Sequence, residues 1–179
     1  MSDFADLSMI ASSALPVAFT FLSKRLEAAL ERRRSGRLAQ PEPQVPAELV
    51  GSLELPLRID ADQLEHHLPA LEILALGLTR YERDPALITA EDAVLMEMLG
   101  RARSALEDIY GQHFTFKGET RARSGPLSHQ DYDTVSGEVT GLEAQDAIRG
   151  SVTSTIRARN VEVGAKVVGM KAPVIEDRG

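Results

Sequence analysis

Apolar positions change their spacing twice along this chain, and each change predicts a different kind of element. From Leu7 to Ser23 there is no charged residue (LSMIASSALPVAFTFLS). Leu22, Leu26, Ala29, Leu30 and Arg33 then recur at three- and four-residue spacings, which predicts an amphipathic helix over residues 23–34 with a strongly basic polar face. Pro16 is predicted to kink or restart a helix within the apolar stretch, because it removes a backbone donor and clashes with the preceding turn. Gly36 is expected to end the helix, and the proline-spaced run Gln40 to Pro46 to form a stiff, extended linker.

Residues 49–119 show a mixed pattern. Ser52 to Ile59 alternates as a half-buried strand does, with Pro56 marking an edge or a bulge. Asp60 or Asp62 is placed to cap a helix carrying the stripe Leu64, Leu68, Leu71, Ala75 and Leu78, with Pro69 expected to kink it or begin it afresh. Asp84-Pro85 closes that helix. Thr89-Ala-Glu-Asp92 reads as the next N-terminal cap, before Leu95, Leu99, Ala102, Leu106 and Ile109 and a stop at Gly111. Two matched stripes across a short loop predict a helical hairpin. His113 to Lys117 reads as a strand that pairs with Leu53 to Ile59.

The last third repeats. Gly137-Glu-Val139 with Leu142 returns as Gly150-Ser-Val152 with Ile156, and again as Gly164-Ala-Lys-Val167 with Met170, a unit of roughly 14 residues. Apolar residues two apart, broken by glycine, predict short strands whose buried face only a neighbouring unit can cover. A β-solenoid of about three rungs satisfies this pattern, and a three-strand meander is the alternative. The fold class expected is therefore α+β. Its parts are an apolar and basic helix (1–36), a proline-rich linker (37–48), a strand–helical hairpin–strand domain (49–119), a loop (120–133) and a β-repeat domain (134–179).

Composition narrows the chemistry. Cysteine is absent, which removes disulfides, thiolate metal sites and a cysteine nucleophile and fits a reducing cytoplasm. A net charge of −7 argues against nucleic-acid binding, which needs a basic field. The basic residues after the apolar stretch are the local exception. Because they follow it rather than precede it, their order opposes export and, if the segment meets a membrane, the positive-inside rule sets Arg32 to Arg34 in the cytoplasm.

Two readings fit the apolar segment, which is short and serine-diluted for a bilayer span. In one it lies at or partly in the inner face of the plasma membrane, with Lys24, Arg25, Arg32, Arg33 and Arg34 towards anionic headgroups and Phe19, Phe21 and Leu22 in apolar contact. In the other it is a helix buried against a partner or a second copy. The β repeats offer a self-association surface built on Val139, Leu142, Val152, Ile156, Val167 and Met170, since an uncapped rung exposes strand edges. Pro173 and the charged tail Glu176-Asp177-Arg178 are expected to blunt one end. No catalytic, cofactor or metal site is expected. His66 and His67 are adjacent while His113 and His129 stand alone, Asp60 and Asp62 suit capping, and neither a nucleophile elbow nor a phosphate-binding glycine loop occurs.

The order of parts, with the phrase Tyr110-Gly111-Gln112-His-Phe-Thr115-Phe116-Lys-Gly118-Glu119 closing the hairpin and V-x-G repeats after it, resembles a set of actinobacterial adaptor- or effector-like proteins. That resemblance implies a role in a bacterial conflict or signalling system and carries over no active-site residue. A non-enzymatic, self-associating adaptor is the expectation from these features. A membrane-disrupting effector activated by clustering, and a soluble module that binds a ligand or peptide in the hairpin groove, are the alternatives.

Overall fold

A computed structural model describes residues 7–36, 43–143, 147–149 and 153–176. Val152, part of the proline-spaced segment and the Asp177-Arg178 tail lie outside the described residues. A 3-10 turn, Leu7–Met9, leads into helix α1 (Leu15–Ser35). Pro16 falls in the first turn of α1, where the missing N–H has no helical partner to lose, so the proline starts the helix instead of kinking it. Gly36 ends α1 at φ 64, returning its N–H to the Arg32 carbonyl.

Helices α2 (Ala61–Arg83) and α3 (Ala93–Tyr110) are fixed by aspartate caps. The Asp60 carboxylate accepts from the N–H groups of Asp62 and Gln63, and that of Asp92 from Val94 and Leu95. Gly111, at φ 60, closes α3. The expected break at Pro69 does not occur. Pro69 sits on the exposed face of α2, where its missing hydrogen bond is left to solvent, while Leu64, Leu71, Leu74 and Leu78 hold both halves of the helix to the core.

The first unit expected on its own shares this core. Leu22 and Leu26 of α1, Leu71 and Leu78 of α2, and Leu95, Leu99, Leu106 and Ile109 of α3 belong to one buried cluster, and α1 packs on both other helices. The strand expected over Leu53 to Ile59 is not formed. Val50 donates to the Thr115 carbonyl and Lys117 to that of Glu48, with single bridges from Leu49 to Phe116 and from Gly51 to Ser124. Beyond Gly51 the side chain of Gln112 replaces a strand, its amide oxygen accepting from Glu54 N–H and its nitrogen donating to Glu54 carbonyl, both at 2.8 Å.

Seven strands follow: β1 (Gln112–His113), β2 (Gly125–Val135), β3 (Glu138–Glu143), β4 (Ala147–Arg149), β5 (Thr153–Val161), β6 (Lys166–Lys171) and β7 (Val174–Glu176). β1 pairs with the start of β2, so the pairing expected for the 113–117 segment is corrected, and β2 begins inside the stretch expected as a loop. The remaining pairs are all parallel: β2 with β5, β3 with β6, and β4 with β7. Leu127 faces Thr153, Glu138 faces Lys166 and Ala147 faces Val174, so partners lie 26 to 28 residues apart. That spacing is about twice the sequence repeat, and the described strands form three small sheets, β1-β2-β5, β3-β6 and β4-β7, where a solenoid of about three rungs was expected. A meander would pair successive strands antiparallel, which these registers exclude.

Candidate self-association and contact surfaces

Residues expected to meet in the repeats do so in part. Val139 is the register partner of Val167 and Leu142 that of Met170, both in the β3–β6 ladder. Ile156 lies elsewhere, in β5 opposite Gln130. Val167 is exposed, Val139, Ile156 and Met170 are half-buried, and the Leu142 side chain lies outside the described residues. β3 and β6 approach closely because Gly141 faces inward with no side chain. A Cβ there would stand 2.6 Å from the Gly169 carbonyl oxygen and closer still to Ser154 Oγ.

The expected contact residues of α1 divide into two groups. Phe19, Phe21 and Leu22 lie inside this chain's own core, which gives the apolar stretch an internal partner. Phe21 meets Phe114 and Phe116 edge-on, with ring centroids 5.4 and 6.1 Å away, and Phe19 meets Tyr81 at 6.3 Å. Arg25 is also buried, its guanidinium 5.9 Å from the Phe21 ring and its carbonyl accepting from the Tyr110 hydroxyl. Burial pushes the Tyr110 hydroxyl up to about 12, against the opposing charge of Arg25. Lys24, Arg33 and Arg34 are exposed and Arg32 is half-buried. Arg33 reaches Glu65 of α2 at 2.5 Å. No helix among the described residues is long and apolar enough to cross a membrane.

The Tyr110 to Glu119 phrase is a structural junction in which almost every residue has a mechanical task. Gly111 caps α3, Gln112 holds the Glu54 backbone, and Phe114 and Phe116 fill the core beneath α1. Gly118, at φ 98, lies under the N-terminal turn, where a Cβ would come within 2.7 Å of the Met9 carbonyl oxygen. Ala11 N–H donates to the Lys117 carbonyl at the same place.

Sequence reasoning missed a buried set of charges around this junction. Arg103, with a side chain 1% exposed, pairs with Glu119, whose side chain is 0% exposed, and the other Glu119 oxygen accepts from Phe116 N–H. Glu107 accepts from Phe114 N–H at 2.7 Å and from Arg121 at 2.8 Å. His113 Nδ1 lies 3.4 Å from the Glu107 carboxylate and 3.0 Å from Arg121, donating to the first or accepting from the second according to its tautomer. Burial pushes the Glu107 carboxyl up, but hydrogen bonding to His113 and the charge and hydrogen bond of Arg121 outweigh it and hold the group below its usual range. The available signal was the opposite-sign pair Arg103 and Glu107, four residues apart beside the apolar stripe of α3.

His66 and His67 stack edge-on, His67 pairs with Asp108 at 3.1 Å, and no cluster of three metal-ligating side chains occurs among the described residues. The His129 side chain lies outside the described residues. A groove of about 630 Å³ runs between α1 and α2, lined by Ser23, Glu27, Leu30, Arg34, Thr79 and Glu82 among others. No protein-family model, curated protein or solved structure matches the chain.

Proposed function

We propose that this chain is a non-enzymatic scaffold that assembles with itself through the open edge of its parallel ladders. One observation carries the reading: β5, β6 and β7 each end their sheets, bonded to β2, β3 and β4 on one side and to no described strand on the other. Read as two turns of a solenoid, the second turn leaves a row of backbone donors and acceptors that a second copy can extend. Val161, Val163 and Val167 are exposed at and between these strands, at 48, 108 and 42%. A buried apolar contact therefore accompanies the hydrogen bonds.

The adaptor half of this role falls to the basic end of α1. Since Phe19, Phe21 and Leu22 are occupied inside the chain, contact there is electrostatic, made by Lys24 and Arg32 to Arg34 without insertion of the apolar segment. The resemblance of the layout to bacterial adaptor-like proteins agrees with this use. Sedimentation velocity on the full chain and on Val161→Lys/Val167→Lys tests the proposal, because lysine on an edge opposes strand addition. The expected result is a species larger than the monomer that loses mass in the double variant. A wild-type chain that stays monomeric at tens of micromolar overturns it.

A further inference from the structure

Helix α2 presents two faces, and the centre of the outer one touches nothing else among the described residues, its contacts being the charged pairs Glu65–Arg33 and Arg80–Asp92 towards the ends. Its inner stripe, Leu64, Leu71, Leu74, Leu78 and Tyr81, is buried against α1 and α3. On the opposite side Ile73 and Leu76 are 71 and 79% exposed, three residues apart and therefore neighbours on the helix surface. A single exposed leucine needs no explanation, but adjacent large apolar side chains at the centre of a long helix form a patch that water solvates poorly.

The charges around this patch are arranged by sign. Asp62, Glu65 and Glu72 are exposed on its N-terminal side, Glu65 also within reach of Arg33, and Arg80 and Arg83 on its C-terminal side, where the exposed Glu82 turns away from the patch into the α1–α2 groove. A helix with an acidic half, an apolar centre and a basic half is complementary to itself when a second copy lies antiparallel. A two-fold axis between Ile73 and Leu76 then places Glu65 of one copy opposite Arg83 of the other, and the same pair again across the axis. At the shallow crossing of about 20° common to packed helices, side chains of this length still meet a few turns from the crossing point. A parallel arrangement would instead set acid on acid and base on base.

We propose that the outer face of α2 is an isologous docking surface for α2 of a second copy of this chain. The inference rests on the self-assembly reading and extends it, because this contact lies on a different element from the ladder edge. Two separate self-complementary contacts on one chain do not close into a ring of two. They join copies alternately through helix and edge, and so build an open string or, where the two axes meet at right angles, a closed tetramer.

The test uses sedimentation velocity on full-length Glu65→Lys and Arg83→Glu, alone and mixed. Each variant alone sets like charges opposite one another at both ends of the patch and is expected to weaken this contact roughly tenfold or more. In an equimolar mixture the lysine introduced in one copy meets the glutamate introduced in the other, and the native Arg83 of the first meets the native Glu65 of the second. Opposite charges then face each other at both ends, so association returns, and that recovery also proves both variants folded. The edge variant Val161→Lys/Val167→Lys separates the two contacts: with α2 intact it should stop at dimers, and with Glu65→Lys added it should be monomeric. If Glu65→Lys and Arg83→Glu each associate as the wild type does, or if the mixture fails to recover, the α2 contact is overturned. If the edge variant alone keeps the wild-type distribution, the ladder reading fails while the α2 contact stands.

Discussion

Residues 7–124 and residues 125–176 use the same two resources, apolar burial and backbone pairing, in opposite proportion. In the helical region every helix contributes to a single buried cluster, and even the charges of Arg103, Glu107 and Glu119 are enclosed with partners. In the ladder region, among described side chains, Val135 is the one apolar residue buried to a few per cent, while three valines are open to solvent. Order there comes from the parallel registers themselves. On the proposed reading, contacts with other molecules fall where groups are left unsatisfied. A region that has closed its core has little left to offer a partner except its charged rim and the outer face of α2, whereas a stack with open edges is incomplete as it stands.

The comparison breaks if the two regions do not differ in what holds them, and Arg103→Met is the strongest probe. Methionine fills similar space but leaves the Glu119 carboxylate buried without its cation, a change that costs about 3–5 kcal/mol in enclosed ion pairs. Urea unfolding followed by helical circular dichroism should show the midpoint falling accordingly. A loss of less than about 1 kcal/mol, the range of solvent-exposed pairs, would mean that this pair is not enclosed and that the helical region is less closed than described.

Gly141→Val is the matching probe of the ladders. Its added atoms would run into the Gly169 backbone as well as Ser154 Oγ, and backbone cannot swing aside as a flexible side chain can. Overpacking of this kind costs about 1–3 kcal/mol. The expected outcome is an earlier loss of strand signal on heating, with the helical transition close to that of the wild type and with self-association reduced. Were Arg103→Met and Gly141→Val to shift one common transition equally, the halves would unfold as a unit, coupled through β1 and the Gly111 carbonyl that accepts from Leu127.

Much of the helical region was legible in the sequence because its signals are local. Asp60 or Asp62 as the cap of α2, the run Thr89 to Asp92 as that of α3, Gly36 and Gly111 as stops, and the two stripes of α2 and α3 each lie within a few residues of the element they define, and the fold settles the caps on Asp60 and Asp92. Phe19 and Phe21 were harder to place. Their partners Tyr81, Phe114 and Phe116 are far along the chain, and an apolar helix carries no mark that says whether lipid, a partner or its own fold will cover it. The ladders show the same limit more sharply. Alternation with period two announces strands but does not say which strand is the neighbour, so Val139 and Val167 could be picked out as repeats without their 28-residue parallel register being visible. Arg103 and Glu119 were passed over because charged residues are rarely enclosed, and only the fold supplies each with the other.

Acidification gives the smallest effect and the finest test of how closed the helical region is. The Glu107 carboxyl is held below its usual range in the folded chain by His113 and Arg121 despite burial, so folding favours its ionised form. A depressed folded value contributes stability that is fully present above the unfolded value, about 4.3 for glutamate, and that disappears as pH falls through the folded value. The wild type should therefore lose stability between about pH 5 and pH 3 more steeply than Glu107→Gln, which cannot titrate at that position. Glutamine is expected to lower stability at neutral pH, since its amide brings donors towards Arg121, but the slope rather than the level carries the argument. Parallel pH profiles for the two proteins would mean that Glu107 meets enough solvent to titrate alike in the folded and unfolded chain, and the ion pairs beneath the junction would then be part of an open surface rather than of a sealed core.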